Sequence, residues 1–160
     1  MTITHATIND LEAIIALEIA CFPPAEAAKR EAFAERLKAF PNHFWLLIDD
    51  GKLIGMINGM VTNTPKLTDE MYEDATQHDE NGAWQMIFGV ETLPEYRRKG
   101  CAARIMQRVI EDAKQQGRKG LVLTCKDELI PLYEQFGFVS EGISASVHGG
   151  AVWNDMRLTF

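Results

Sequence analysis

Cysteine is scarce in this chain and follows no pattern. Cys21, Cys101 and Cys125 are odd in number and make no C-x-x-C pair. This excludes a disulfide-stapled scaffold and a zinc knuckle, and predicts a reduced, cytoplasmic protein with no metal. Long apolar runs are missing as well. None exceeds FWLLI at residues 44–48, against the roughly 20 residues a membrane-spanning helix needs. The N-terminal MTITHATIND has no apolar stretch behind a basic start, so neither a secretory leader nor a membrane partner is expected. Positive charge is in deficit: 16 Lys and Arg face 23 Asp and Glu, for a net charge of −7. That argues against nucleic acid as a partner, because phosphate-backbone binding needs a basic surface. It favours the approach of small cations, although plain solubility would account for it equally well.

What is present suits one domain over residues 1–160, at 46% hydrophobic and 24% charged residues. ITHATI (3–8) alternates weakly and predicts a first strand. Asn9 or Asp10 can cap the helix LEAIIALEIACF that follows. Pro23 and Pro24 end that helix and start another, which carries Phe33, Leu37 and Phe40 on one face. HFWLLID (43–49), the Asp50-Gly51 turn and LIGMINGMVT (53–62) predict a hairpin. Residues 63–82 read as a loop with one helical turn, and AWQMIFGV (83–90) as a strand. A helix is expected from Gly100 to Gln116, closed by Gly117. LVLTC (121–125) reads as a buried strand, and a short helix runs from Asp127 to the stop at Gly137. Two strands near 138–147 and 151–159 complete an α/β fold with a mixed central sheet flanked by helices.

The stretch YRRKGCAARI (96–105) sets Arg97, Arg98 and Lys99 before a helix N-terminus, where cations are mildly unfavourable unless an anion sits between them. A strand, a glycine-containing loop and a helix start form an anion site, because the free N–H groups and the helix dipole both favour negative charge. Gly100 and Ala102 leave the backbone open to a pyrophosphate. Neither G-x-x-x-x-G-K-[ST] nor G-x-G-x-x-G occurs here, which excludes the two best-known phosphate loops. A solvated basic turn before an amphipathic helix would read the same way.

R-R-K-G-C-A, within IFGVETLPEYRRKGCAARIM, resembles the R/Q-x-x-G-x-G/A acyl-CoA signature of the GCN5-related N-acetyltransferase (GNAT) superfamily. Residues 123–158 are similar to the C-terminal part of the arylalkylamine (serotonin) N-acetyltransferases. The matching positions are Cys125, Asp127, Leu129, Pro131, Tyr133, Phe136, Gly137 and Phe138. This resemblance implies acetyl-CoA as cosubstrate. Its pyrophosphate would lie on the backbone of Arg98, Lys99, Gly100, Cys101, Ala102 and Ala103. Its pantetheine arm would run along Phe88, Gly89 and Val90, where one N–H would hold the acetyl oxygen. By the same likeness Phe88 and Thr124 contact the amine. Tyr133 is the general acid, close enough to touch the cofactor thiol as well.

The amine poses a proton problem. At a pKa of about 10.4, only about one alkylamine molecule in 2,500 is neutral at pH 7. The vertebrate-type arylalkylamine enzymes carry two histidines for this on the strand before the glycine loop. Here those positions hold Trp84 and Met86, neither of which accepts a proton. Glu91, His148, His78, Asp79 and a water-mediated route are the substitutes. The acidic loop 67–82 is a soluble turn or a lure for a cationic substrate. Met56, Met60, Met71 and Met86 suit core packing better than a pocket. The expected activity is acetyl transfer to a small-molecule amine, an arylalkylamine or polyamine; the sequence leaves the oligomeric state open, a homodimer included. The alternatives are a peptide or aminoglycoside acceptor, and an acyl-CoA-binding regulatory module that has lost catalysis.

Overall fold

The computed structural model describes residues 1–160. Two sheets share its centre. One has the order β1-β2-β3-β6, built from Thr2–Thr4, Phe44–Asp49, Lys52–Asn58 and Gly89–Thr92, and is antiparallel throughout. The other has the order β4-β5-β7-β9-β8, built from Val61–Thr62, Trp84–Ile87, Gly120–Cys125, Asn154–Thr159 and Val139–Ile143. Its β5–β7 pair is parallel. A parallel pair needs a crossover, and α4 (Cys101–Gln115) supplies it.

The mixed sheet expected from the sequence is therefore present but divided. The single strand predicted over 83–90 breaks at Phe88, so β5 belongs to one sheet and β6 to the other. The hairpin's second strand likewise passes between the sheets around Gly59 and Met60. Gly59 is required there, since a Cβ would stand 1.9 Å from the Met86 carbonyl oxygen. Asp50 and Gly51 both take positive φ, 50° and 79°, as the predicted tight turn demands.

Helix α4 buries Cys101, Ile105, Met106, Val109 and Ala113, a helical stripe, against one face of the sheets. On the other face, α1 (Leu11–Cys21) and α2 (Arg30–Ala39) cover a second core containing Ile14, Leu17, Phe33, Phe40 and Phe44. Each fully buried aliphatic or aromatic side chain contributes about 1.5–3 kcal/mol. The four methionines Met56, Met60, Met71 and Met86 are all buried in this second core. No helix is long and apolar enough to cross a membrane.

Several boundaries differ from the sequence reading, among them the two last strands, which span only Val139–Ile143 and Asn154–Thr159. The first strand stops at Thr4; Asp10 holds the N-cap position of the first helix as expected, but its side chain is engaged in a capping box with Thr7 around the turn Ile8–Asp10. The second helix starts at Arg30 rather than beside Pro24, because residues 23–27 are spent on turns with hydrogen bonds back to the Pro23 carbonyl. Loop 63–82 contains α3 (Asp69–Glu73) and a further turn at Ala75–Gln77. It is pinned by Glu80, whose carboxylate faces His43 Nε2 at 2.9 Å, His78 Nε2 at 3.0 Å and Arg118 at 3.1 Å. His78 Nδ1 accepts the Val61 N–H, so its proton sits on Nε2 and is donated to Glu80. The two histidines and Glu80 offer ligand atoms within 4.8 Å of one another. That tautomer and the guanidinium on Glu80 fit a pin better than a cation site.

Candidate active site

The β5–β7 pairing ends at Ile87 and Leu123, and β6 does not pair with β7 beyond it. β6 bonds only to β3, and Thr124 and Cys125 only to β9. The diverging edges open a cavity of about 690 Å³. Phe88, Gly89, Val90 and Glu91 line it from one side, Thr124 and Cys125 from the other, and Tyr133 of α5 (Ile130–Glu134) closes one end. Residues 22–29, α2, Tyr72 of α3, and His148 and Trp153 from the turn before β9 complete the wall. The structure thus brings together Phe88, Gly89, Val90, Thr124 and Tyr133, which the sequence had singled out.

Tyr133 is 6% exposed. Its ring packs edge-on against Phe138, with centroids 5.9 Å apart. Burial, reinforced by the neighbouring Cys125, raises its phenol well above the ordinary tyrosine range, so the hydroxyl keeps its proton. Burial, with the charges of Asp127 and Glu128, also pushes the Cys125 thiol up to about 11. A thiol so raised is a poor nucleophile at neutral pH. Tyr72 carries a raised phenol for the same reason, with the Thr124 hydroxyl beside it.

Arg98 to Ala103 do not line this cavity. They follow it along the chain, at the start of α4. Arg98 and Gly100 have φ of 63° and 79°, and no side chain caps the helix. The first-turn N–H groups are therefore free for an anion, and a left-handed non-glycine residue in front of them points to function. Around Gly100 there is open space. Arg97 is turned away, its Nε donating to the Thr92 carbonyl at 3.1 Å. Lys99 lies over the Tyr96 ring, 5.6 Å from its centroid. Of the three cations expected at this loop, Arg97 is thus committed to the end of β6.

The acidic lining is heavier than the sequence suggested. Glu18, Glu26, Glu31, Glu35, Asp69, Glu73 and Glu91 outweigh the basic Lys29 and Arg36. Among the substitutes for the missing histidines, Glu91 and His148 reach the cavity, whereas His78 and Asp79 stay in the pinned loop. His148 donates Nε2–H to the Glu26 carbonyl at 2.8 Å and stacks on Tyr72 at 5.2 Å. Glu91 is 1% exposed, and neither carboxylate oxygen has a hydrogen-bond partner. Burial, and then the adjacent Glu18, raise it well above the usual carboxylate range. Buried Arg36 donates to Asn58 Oδ1 and the Tyr72 carbonyl, and burial lowers it to about 10.

Glu18, Arg36, Asn58, Tyr72 and Trp153 escaped the sequence reading. A signal existed for two of them. Glu18 falls on the buried face of α1 with Ile14 and Leu17, and Arg36 on that of α2 with Phe33 and Leu37. A charge in a buried stripe is costly unless partnered or used.

Residues 11–138 match the model of the acetyltransferase (GNAT) family. An uncharacterized N-acetyltransferase, YkwB, of Bacillus subtilis (strain 168) is 25% identical over 122 residues, which cover 69% of this chain and 54% of YkwB. The chain thus spans about half of that relative. Serotonin N-acetyltransferase of Mesocricetus auratus is 25% identical over 162 residues, 89% of this chain and 77% of that one. Among solved structures, the GphF GNAT-like decarboxylase in complex with isobutyryl-CoA superposes with a TM-score of 0.82 at 20% identity, covering 99% of each chain.

Proposed function

The chain belongs to the acetyltransferase (GNAT) family, and we propose that it is an acetyl-CoA-dependent N-acetyltransferase that acetylates a small primary amine, an arylalkylamine or a polyamine. The amine attacks directly in a ternary complex. The observation that carries this reading is the cavity itself. It joins an unpaired strand edge, a protonated buried phenol and a strongly acidic lining in one space. The likeness to a serotonin N-acetyltransferase and to a fold that holds isobutyryl-CoA supports it.

In this reading the free N–H groups from Arg98 to Ala103 hold the pyrophosphate of acetyl-CoA, whose thioester supplies the acetyl group. The Phe88–Val90 edge lends its backbone groups to the extended pantetheine, much as a sheet edge accepts an added strand. An N–H of that edge stabilises the developing oxyanion. Tyr133 gives a proton to the departing thiolate. Cys101, buried at the start of α4, and Cys125, with its raised thiol, take no covalent part. Phe88, Tyr72 and Trp153 place aromatic rings in the cavity wall, a lining that suits both an aryl ring and an ammonium group.

The test is coenzyme A thiol release from acetyl-CoA with tryptamine, phenylethylamine, spermidine, putrescine, an aminoglycoside and a lysyl peptide. Release with the first four and not with the peptide supports the proposal. Release with the peptide alone makes the acceptor a protein. Binding of acetyl-CoA without release from any acceptor points to the regulatory module.

A further inference from the structure

The acetyl-transfer reading leaves the ammonium proton without an acceptor, and the inference here rests on that reading. Glu91 lies on β6 with its Oε1 3.1 Å from where a Cβ on Gly89 would stand. The carboxylate therefore sits over the backbone of the Phe88–Val90 segment. It is 1% exposed and lacks a donor on either oxygen, yet it lines the same cavity as Thr124 and Tyr133. Glu18 faces it from α1, 5% exposed, and accepts the Ala28 N–H at 2.7 Å.

The groups around Glu91 are few. α1 presents Glu18 and Cys21, and α2 presents Arg36. Tyr72 of α3 stands in the same lining, and β3 sets neutral Met56 opposite Glu91 and Asn58 opposite Gly89. α4 packs the opposite face of the sheet with apolar Ile105. Arg36 donates to Asn58 Oδ1 and the Tyr72 carbonyl, keeps a buried Nε–H without a partner, and bonds neither carboxyl group. A pair of buried carboxyl groups with no cation bonded to them, at a cavity wall, is a use of charge rather than a means of stability.

We propose that Glu18 and Glu91 form a carboxyl pair that receives the acceptor as its alkylammonium ion and takes one proton from it beside the Phe88–Val90 backbone. One N–H bond of the ammonium breaks, an O–H bond forms on Glu91, and the electron pair stays on nitrogen, ready to attack. The proton returns to water through the cavity mouth when product leaves. Burial, and then the neighbouring Glu18, hold the proton on Glu91 to higher pH than an ordinary carboxyl group. Ionised Glu91 is the base, so activity rises with pH through the loss of that proton.

The experiment compares wild type, Glu91→Gln and Glu18→Gln in thiol release with phenylethylamine and putrescine from pH 6 to 9.5. A carboxyl ¹³C NMR titration of ligand-free protein accompanies it. In the wild type, kcat/KM for the amine climbs along one limb to a plateau, and Glu91 titrates well above the ordinary range. Glu91→Gln lowers kcat/KM by on the order of 10²–10³-fold at pH 7.5. It loses the plateau and leaves the KM for acetyl-CoA unchanged. Glu18→Gln stays active but moves both the limb and the Glu91 titration toward acid. Coenzyme A binding reports folding, and if Glu91→Gln does not fold, the Glu18→Gln shift decides. A wild-type profile in Glu91→Gln, or a limb unmoved in Glu18→Gln, overturns the assignment alone. A wild type without amine-dependent release overturns the acetyl-transfer reading and this assignment with it.

Discussion

Replacing Tyr133 with phenylalanine removes one oxygen and little else. The ring's edge-on contact with Phe138 survives, as does its place in the core beside Cys125. The loss in stability is therefore small, at most the ~0.5–1.5 kcal/mol of a hydroxyl's net contribution. The loss in rate is not small. A phenol raised above its ordinary range by burial stays protonated across the accessible pH range and is always available as a donor. A positioned proton donor is worth about 10²–10⁴-fold. At the lower end this is ~2.7 kcal/mol of barrier, at 1.36 kcal/mol per tenfold. The assay is steady-state thiol release at saturating amine, with calorimetric binding of acetyl-CoA in parallel. The expected outcome is a kcat at least about 10²-fold lower, with acetyl-CoA affinity unchanged and no descending pH limb attributable to Tyr133 below pH ~9.5, given the usual phenol value near 10. A variant with unchanged kcat would refute the assignment. So would a wild-type descending limb that vanishes in the mutant, since that would mean the phenol titrates within the range.

Gly120→Ala would set a Cβ 1.9 Å from the Leu158 carbonyl oxygen in the middle of a sheet. A loss of about 3 kcal/mol or more is expected in denaturant melts, comparable to severe overpacking. Gly100→Ala meets no neighbour but forces alanine to φ +79°, costing about 1 kcal/mol and raising the KM for acetyl-CoA; an unchanged KM would remove the anion from this loop. Burial lowers the His43 pKa from its usual 6.5 despite the opposing Glu80. The unfolded chain therefore binds more protons below pH ~6.5, and the stability held above that pH declines on acidification through the folded value; a His43→Gln variant should show a shallower decline in Tm between pH 7.5 and 5. Glu91 has the opposite sign. Its raised value makes the folded chain the tighter proton binder, so stability declines as pH rises from ~4.5 through the folded value. Glu91→Gln should therefore gain more in Tm at pH 8 than at pH 5, relative to wild type.

Local chemistry made much of the fold readable. The Asp50-Gly51 turn, the stop at Gly117 and the stripe of α4 are short-range signals, and each falls where expected. The break at Phe88 was not readable, because nothing in MIFGV distinguishes a continuous strand from one handed between two sheets. That distinction is set by pairing with β3 and β7, which are distant in sequence. The start of α2 was misplaced for a related reason. Pro23 and Pro24 suit a helix start locally, but the chain there makes turns that wall the cavity. Tyr133 and Thr124, positions the resemblance marks, lie in one short continuous stretch of sequence. Glu18 and Glu91 lie 73 positions apart by their numbers and meet only in three dimensions.

The unpaired edge of β6 also bears on how the chain avoids its neighbours. Exposed strand edges invite other chains to add to them, which is the usual beginning of β-aggregation. Here the open edge is recessed. It lies at the bottom of a cleft whose opposite bank is β7, with α2 and the turn before β9 at the rim. The β6 edge is thus set back from the surface, where an extended guest entering the cleft can pair with it, whereas β8 carries the exposed edge of the other sheet.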